Sequence, residues 1–327
     1  LRPAMKPAIL LVEPMMDAIE RDLDAAYTVH RLYDAAQQSR IQADLGTIRA
    51  AVTGGGTGLS AEWVTRLPAL GLIAINGVGT DKVDLAETAR RGIHVSTTPG
   101  VLTGDVADMA MALLLAVMRR IVDGDRMVRD GRWAAGGQLP LGSRLGGRKL
   151  AILGLGQIGR AIARRAEAFD AEILYWNRSP VETPSGWTCI DTPERLAAEA
   201  DILVVAVAAT PQTESIVSAA VLDALGPNGI LVNVARGNVV DEAALLSALQ
   251  HGRIAAAGLD VFRNEPTIDP AFASLDNVVL APHQGSATVS TREDMGALVL
   301  ANLSDHFAGR TPRTSVNADR IQETHSA

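Results

Sequence analysis

The sequence of 327 residues has one cysteine, few aromatic side chains and no excess of positive charge. The single cysteine, Cys189, excludes an intrachain disulfide, so we expect a reducing, cytoplasmic location. Aromatic residues make up only 3% of the chain, so aliphatic side chains and alanine must fill the core. The formal net charge of −7 argues against binding to nucleic acid or to an anionic membrane surface.

The chain also lacks long apolar segments and metal-ligand clusters. Its longest apolar run, residues 109–118, is much shorter than the roughly 20 residues of a membrane-spanning helix. The run at residues 8–12 is too short for a signal peptide, and we expect none. No His, Cys or Asp cluster has metal-ligand spacing, and there is no Gly-x-Ser-x-Gly turn of a nucleophilic serine. We therefore expect no metal and no membrane partner.

A glycine-rich turn joins an apolar strand to a helix in the middle of the chain. Lys149–Leu153 leads into Gly154-Leu155-Gly156-Gln157-Ile158-Gly159, and residues 158–169 have helical spacing. Such glycines permit a tight turn, a close approach of backbone amides to a pyrophosphate, and close packing of helix on strand. The alternative is an ordinary structural turn, but the second strand at Glu172–Trp176 favours a dinucleotide site.

The second strand ends in Asn177-Arg178-Ser179, where an NAD site usually has a carboxylate for the ribose hydroxyls. Asn177 and Ser179 can donate hydrogen bonds, and Arg178 can pair with a phosphate or stack on adenine. The alternative is a solvated arginine at a strand end. We expect NADP(H) to be preferred over NAD(H).

Short apolar strands alternate with helical segments on both sides of this turn, which predicts an α/β fold. We expect two Rossmann-like doubly wound parallel-sheet domains. The dinucleotide-binding domain, residues 101–285, is inserted into a flavodoxin-like substrate domain, residues 1–100 plus 286–327. Residues 103–129 are predicted to form one long helix whose apolar middle must be covered on several sides, by a second subunit as well as by its own sheet, so we expect a homodimer.

Two glycine-rich loops of the substrate domain follow its third and fourth strands. One begins Thr53-Gly54 and the other contains Val78-Gly79. Both lie at carboxyl ends of strands, where open α/β sheets bind ligands, so we predict substrate contacts there. The alternative is that the glycines in these loops only allow the backbone to turn and bind no ligand.

Three polar groups follow late strands of the dinucleotide domain: Arg236, Glu265 and His283. Reduction of a 2-keto acid needs a cation for the carboxylate, a proton donor for the developing alkoxide, and a carboxylate that keeps this donor protonated. Arginine, histidine and glutamate suit these roles. Taken singly, each residue could be an ordinary surface or capping group.

Ordered motifs through residues 77–288 carry a resemblance to a known family. They are Gly77-Val78-Gly79-Thr80-Asp81, Val106-Ala107-Asp108, residues 154–159, Thr210-Pro211-Gln212-Thr213, Asn233-Val234-Ala235-Arg236-Gly237, Gly258-Leu259-Asp260-Val261-Phe262, Asn264-Glu265-Pro266 and Pro282-His283-Gln284-Gly285-Ser286-Ala287-Thr288. Together they resemble the D-isomer-specific 2-hydroxyacid dehydrogenases. The ending Asn177-Arg178-Ser179 resembles the NADPH-preferring glyoxylate, hydroxypyruvate and hydroxyphenylpyruvate reductases of that family.

The resemblance implies roles for individual residues. It makes Arg236 the ligand of the substrate carboxylate, His283 the general acid/base and Glu265 its hydrogen-bond partner. It implies that backbone N–H groups of the loop with Val78 and Gly79 bind the substrate carboxylate. The cofactor set that it implies is Gly154, Leu155, Gly156, Gln157, Ile158, Gly159, Asn177, Arg178, Ser179, Val207, Ala208, Thr213, Val234, Ala235, Arg236, Asp260, His283, Gly285 and Val106. The substrate set is Val78, Gly79, Thr53, Gly54, Arg236 and His283.

Three functions remain open at this point. The first is NADPH-dependent reduction of glyoxylate or hydroxypyruvate to the D-2-hydroxy acid. The second is reduction of an aryl-pyruvate such as hydroxyphenylpyruvate. The third is a non-catalytic protein that senses dinucleotides, which the complete Arg, Glu and His set disfavours.

Overall fold

The computed structural model describes residues 6–326, and at 323–326 it describes the backbone helix alone. Residues 1–5, part of the start where we expect no signal peptide, lie outside the described residues. The chain forms two compact units. The first comprises the chain up to Leu102 and again from Ala287, and the second is Thr103–Ser286. The predicted α/β architecture, with one parallel-sheet domain inserted into the other, is confirmed.

The first unit is built on a five-stranded parallel sheet with strand order β2-β1-β3-β4-β5. Its strands are β1 Ala8–Leu11, β2 Thr28–Arg31, β3 Ile48–Gly54, β4 Leu72–Asn76 and β5 His94–Ser96. Its helices, numbered in chain order, are α1 Asp17–Ala26, α2 Gln38–Asp44, α3 Ala61–Arg66, α4 Leu85–Arg90, α11 Val289–Phe307 and α12 Ala318–Ser326. Helices α1 and α11 cover one face of the sheet, where Leu11, Val52 and Leu303 lie in one buried cluster.

The second unit is built on a seven-stranded parallel sheet with strand order β12-β11-β10-β9-β6-β7-β8. Its strands are β6 Lys149–Leu153, β7 Glu172–Trp176, β8 Thr188–Cys189, β9 Ile202–Val205, β10 Ile230–Asn233, β11 Ala256–Leu259 and β12 Val278–Leu280. Its helices are α5 Thr103–Met118, α6 Ile121–Arg129, α7 Gln157–Glu167, α8 Pro193–Glu199, α9 Ala219–Leu225 and α10 Glu242–Gln250. Strands β9 and β10 are buried along their whole length because helices cover both faces of a parallel sheet.

The single long helix expected over residues 103–129 is wrong. Two helices, α5 and α6, meet at Arg120, whose φ of 53° is left-handed and interrupts the helical hydrogen bonds. The unit itself buries most of the apolar side chains of α5, which packs on α7 and β11. The apolar character of α5 therefore does not by itself require a second subunit.

Within residues 6–326, no helix combines the length and apolar character needed to cross a membrane. The same described part of the chain contains no group of three His, Cys, Asp or Glu side chains that could hold a metal ion.

Candidate functional site

The glycine turn between β6 and α7 has the geometry that a dinucleotide needs. Gly154 has a φ of 99°, and a Cβ there would come within 2.7 Å of the backbone nitrogen of Val207. A Cβ at Gly159 would overlap the carbonyl oxygen of Gly154. A Cβ at Gly156 would touch no other part of the protein, so packing does not require this glycine. The turn and the N-terminus of α7 thus fit a bound pyrophosphate, which a side chain at Gly156 would obstruct.

Asn177, at the end of β7, holds the glycine turn in place. Its Oδ1 accepts a hydrogen bond of 3.0 Å from the amide of Leu155, and its Nδ2 donates to the carbonyl oxygen of Ser179 at 2.8 Å. Asn177 therefore joins the two segments on which the adenosine end of a dinucleotide would lie. Arg178 is exposed, and no ion pair with it occurs among the described residues.

The loop after β9 contributes three further residues of the predicted cofactor set. Val207 lies directly against Gly154. Thr213 is buried, and its hydroxyl donates to the carbonyl oxygen of Ala208 at 2.7 Å while accepting from the amide of Thr210 at 2.8 Å. The threonine thereby fixes the loop beside the glycine turn.

Asp260 organises the turn that carries His283. The carboxylate of Asp260 accepts hydrogen bonds from the amides of Gln284 at 2.7 Å and Gly285 at 2.8 Å, and its carbonyl oxygen accepts from the amide of His283 at 2.8 Å. His283 itself has a left-handed φ of 54°, which is uncommon for a residue with a side chain. Val106, on α5, lies beside Gly285.

The structure brings His283 and Glu265 into direct contact. His283 Nδ1 lies 2.6 Å from Glu265 Oε2, and the other carboxylate oxygen accepts from the amide of Phe262 at 2.8 Å. The side chains are 37% and 31% exposed, so both are accessible from solvent. With Nδ1 bound to the carboxylate, Nε2 is the ring nitrogen placed to exchange a proton with a ligand.

Arg236 follows β10 in a turn fixed by the buried Asn233. The Nδ2 of Asn233 donates to the carbonyl oxygen of Arg236 at 2.9 Å, and its Oδ1 accepts from the amide of Ala235 at 3.0 Å. The guanidinium donates to the carbonyl oxygen of Ala235 at 2.9 Å. Predicted cofactor residues Val234 and Ala235 lie in the same turn.

Gly237 locks the turn of Arg236 against the loop of Glu265. A Cβ at Gly237 would overlap the backbone of Phe262 and Arg263. Any larger residue must push these two loops apart. Glycine at this position therefore keeps the arginine and the glutamate in one fixed arrangement.

The pKa values of the two carboxylates in this cluster are shifted in opposite directions. Burial raises the pKa of Glu265, but hydrogen bonds from His283 and the amide of Phe262, with the charges of His283 and Arg236, hold it below its ordinary value. Burial raises the pKa of Asp260 above its ordinary value, although the amides of Gln284 and Gly285 and the charge of His283 oppose this. Glu265 is thus kept as an anion that can accept a hydrogen bond from His283.

The four substrate residues predicted in the first unit lie at the carboxyl ends of β3 and β4. Thr53 and Gly54 end β3, and Val78 and Gly79 follow β4. Because β3 pairs with β4, the two loops are neighbours, and a Cβ at Gly77 would come within 3.2 Å of the amide nitrogen of Gly55. Arg236, Glu265 and His283 belong to the second unit.

Sequence reasoning missed the supporting roles of Asn233 and Asn177 and the hydrogen bonds by which Asp260 holds the turn at residues 283–285. Asn233 ends an otherwise apolar strand, which is a signal that a buried polar side chain holds the following turn. No comparable signal distinguishes an asparagine that binds the backbone from one that binds a ligand.

Comparisons with known proteins identify the family of this chain. Residues 111–285 match the family described as D-isomer specific 2-hydroxyacid dehydrogenase, NAD binding domain. A 2-ketogluconate reductase of Gluconobacter oxydans is 47% identical over 313 residues, covering 95% of this chain and 99% of the relative. A hydroxyphenylpyruvate reductase of Plectranthus scutellarioides is 44% identical over 309 residues, covering 94% and 98%.

A solved structure gives the same result for the fold. The NADPH-dependent glyoxylate/hydroxypyruvate reductase of Sinorhizobium meliloti, in complex with NADP and malonate, is 42% identical with a TM-score of 0.90. The match covers 97% of this chain and 98% of that one. The family resemblance of the motifs is confirmed. This chain therefore belongs to the D-isomer specific 2-hydroxyacid dehydrogenases, oxidoreductases that use a nicotinamide dinucleotide.

Proposed function

We propose that this chain is an NADPH-dependent reductase that converts a small 2-keto acid, such as glyoxylate or hydroxypyruvate, to the D-2-hydroxy acid. The observation that carries the proposal is the 2.6 Å contact between His283 and Glu265 beside the turn of Arg236. These three groups provide a proton donor, a carboxylate that supports it, and a cation for a substrate carboxylate.

Each residue has a distinct role in this reaction. A nicotinamide dinucleotide bound at the glycine turn supplies the hydride. Nε2 of His283 donates a proton to the keto oxygen, while Glu265 accepts a hydrogen bond from Nδ1 and stabilises the protonated ring. Arg236 pairs with the carboxylate of the substrate. Asp260 orients the imidazole through the backbone of the turn at residues 283–285.

Two alternatives make different predictions. A protein that only senses dinucleotides has no need of a histidine and glutamate paired at the strand ends. An aryl-pyruvate reductase uses the same groups, and the hydroxyphenylpyruvate reductase of Plectranthus scutellarioides is a relative at 44% identity.

A panel of 2-keto acids tests the proposal. Oxidation of NADPH is followed by absorbance with glyoxylate, hydroxypyruvate, 2-ketogluconate and phenylpyruvate, and the chirality of each product is determined. We expect turnover with glyoxylate or hydroxypyruvate and a D-configured product wherever the product is chiral. Dinucleotide binding without turnover on any member of the panel would support the sensor, and a preference for phenylpyruvate would support the aryl-pyruvate reductase.

The preference for NADP over NAD rests on Arg178. It is exposed at the end of β7, where no carboxylate follows the strand, and the similar reductase of Sinorhizobium meliloti binds NADP. We expect Arg178→Ala to lower the ratio of kcat/KM for NADPH over NADH by roughly 10- to 100-fold, because a charge-assisted pair with the 2′-phosphate is lost. Arg195→Ala, on the exposed surface of α8, is the matched control. An unchanged ratio in Arg178→Ala would contradict the assignment.

We also propose that the chain forms a homodimer through its second unit. Four of the large exposed apolar side chains of this unit lie on α6 and the loop after it: Ile121 and Val128 at 58%, Trp133 at 66% and Leu141 at 98%. Such a group on α6 and the loop after it is typical of an interaction surface. Light scattering at micromolar concentration should give twice the mass of the chain, and a monomer would contradict the proposal. A cytoplasmic location stays a prediction from the single cysteine.

A further inference from the structure

Glu13 lies beside one of the predicted substrate loops of the first unit. It follows β1, which pairs in parallel with β3 so that Leu11 is opposite Val52. The amide of Val12 continues the pairing by donating to the carbonyl oxygen of Val52 at 2.9 Å. The next residue, Glu13, therefore reaches the end of β3 at Thr53 and Gly54.

The carboxylate of Glu13 is seated on the glycine face of this loop. A Cβ at Gly54 would overlap the carboxylate, so only glycine leaves room for it. The hydroxyl of Thr57 donates a hydrogen bond to the other side of the same carboxylate. The loop is closed by the hydroxyl of Thr53, which donates to the carbonyl oxygen of Gly58 at 2.6 Å. Glu13 is thus held by the loop rather than extended into solvent.

Glu13 carries a charge that no cation compensates. Among the described residues, no lysine, arginine or histidine makes an ion pair with it, and it is half-buried. An ionised carboxylate accepts hydrogen bonds and donates none, so it binds hydroxyl groups well. The same charge repels a second carboxylate or a phosphate on a ligand.

We propose that Glu13 determines substrate specificity by accepting hydrogen bonds from hydroxyl groups on carbons beyond C2 of the substrate. This inference rests on the proposed function, because it requires that the loop at Thr53 and Gly54 contacts a 2-keto acid. Glu13 then selects hydroxylated monocarboxylic 2-keto acids, such as hydroxypyruvate or 2-ketogluconate, over glyoxylate and over keto diacids. It takes no part in the transfer of the hydride or the proton.

The test compares substrates within each variant. The unmodified chain, Glu13→Gln and Glu13→Ala are assayed with NADPH and hydroxypyruvate, 2-ketogluconate, glyoxylate or 2-oxoglutarate. For Glu13→Ala we expect kcat/KM to fall by roughly 10- to 100-fold with the hydroxylated acids and by less than about threefold with glyoxylate, because a charge-assisted hydrogen bond is lost only with the former. Glu13→Gln, which removes the charge but keeps the size, should raise kcat/KM for 2-oxoglutarate. Glu62→Gln, on the surface of α3, is the matched control and should leave every ratio unchanged.

The outcomes separate this inference from the proposed function. Equal losses on all substrates would indicate that Glu13 only supports the loop, and would overturn its role in specificity while leaving the reductase activity established. An unchanged hydroxypyruvate to glyoxylate ratio in Glu13→Ala would overturn it as well. No turnover of any 2-keto acid by the unmodified chain would overturn both proposals.

Discussion

Each of the two units has its own parallel sheet with helices packed on it, but their histidines lie in different environments. In the second unit, His283 lies at a strand end, is 37% exposed and is paired with Glu265. In the first unit, His30 is 1% exposed, and among the described residues neither its Nδ1 nor the buried Nε2 of His306 has a hydrogen-bond partner. His94 is half-buried and bonds through Nδ1 to the hydroxyl of Ser315 at 3.0 Å.

This difference separates the groups that can carry chemistry from the groups that affect stability. A histidine in a hydrogen-bonded pair at an accessible edge can exchange protons without disturbing the core. A histidine inside the core is favoured in its neutral form, because burying the charged ring costs free energy. Substitutions of the first kind should change activity and leave stability nearly intact, and substitutions or protonation of the second kind should do the reverse.

The largest effect is expected from His283→Ala. Loss of the proton donor should lower kcat by roughly 10²- to 10⁴-fold, while the thermal midpoint and the dissociation constant of NADPH change little. Steady-state kinetics, thermal unfolding and NADPH fluorescence measure the three quantities. His251→Ala removes an exposed histidine after α10 and serves as the control. Near-normal turnover in His283→Ala would contradict the role assigned to this residue.

Arg236→Ala should give the next largest effect. Removal of the cation should raise KM for the keto acid and lower kcat/KM by roughly 10- to 150-fold, because a charge-assisted pair with the carboxylate is lost. Arg236→Lys keeps the charge and should retain part of the activity. Arg253→Ala, which breaks a surface ion pair with Asp223, is the control. An unchanged KM in Arg236→Ala would place this arginine outside the substrate site.

Mild acid should have a smaller effect, and it should lower the stability of the first unit more than that of the second. Burial lowers the pKa of His30, His94 and His306. At His30 the carboxylate of Asp44 partly opposes this shift and the charge of Arg40 adds to it. At His306 the charges of Arg49 and His94 add to the shift, and a hydrogen bond with the backbone of Arg49 partly opposes it. A lowered histidine pKa means that the unfolded chain binds more protons than the folded one. Stability is therefore full above the ordinary histidine pKa of about 6.5 and is lost as the pH falls below it.

Hydrogen exchange by mass spectrometry can follow both units in one sample. After correction for the intrinsic rate, lowering the pH from 7.5 to 5.5 should reduce protection of β3 and β4 more than that of β6 and β9. The thermal midpoint should fall by about 2–4 °C for each kcal/mol lost. His306→Gln, which cannot gain a charge, should diminish the loss. Earlier loss of protection in the second unit would contradict the comparison.

The sequence predicted the fold because its signals are local. Alternating apolar runs and helical spacing indicated the strands of both sheets, and glycine or polar residues after each strand indicated the site loops. Arg236, Glu265 and His283 were found by their positions after β10, β11 and β12, since ends of neighbouring parallel strands meet at one edge.

Features that depend on tertiary contacts were not predictable. The apolar spacing continues past Arg120, so the left-handed break between α5 and α6 gives no signal in the pattern. The environment of His306 depends on Gly71 and Arg49, which are distant in sequence.

The contact of Gly237 with the backbone of Phe262 and Arg263 has a consequence for protein engineering. Because no side chain fits at Gly237, small substitutions cannot move the two loops separately. Mutants in this region will therefore more often lose both the substrate binding by Arg236 and the support of His283 by Glu265 than gain a new activity. Libraries for altered substrate range should leave residues 236–237 and 262–265 unchanged. Diversity is better introduced at Gly56 and Thr57, which are exposed, and a Cβ at Gly56 would meet no other part of the protein.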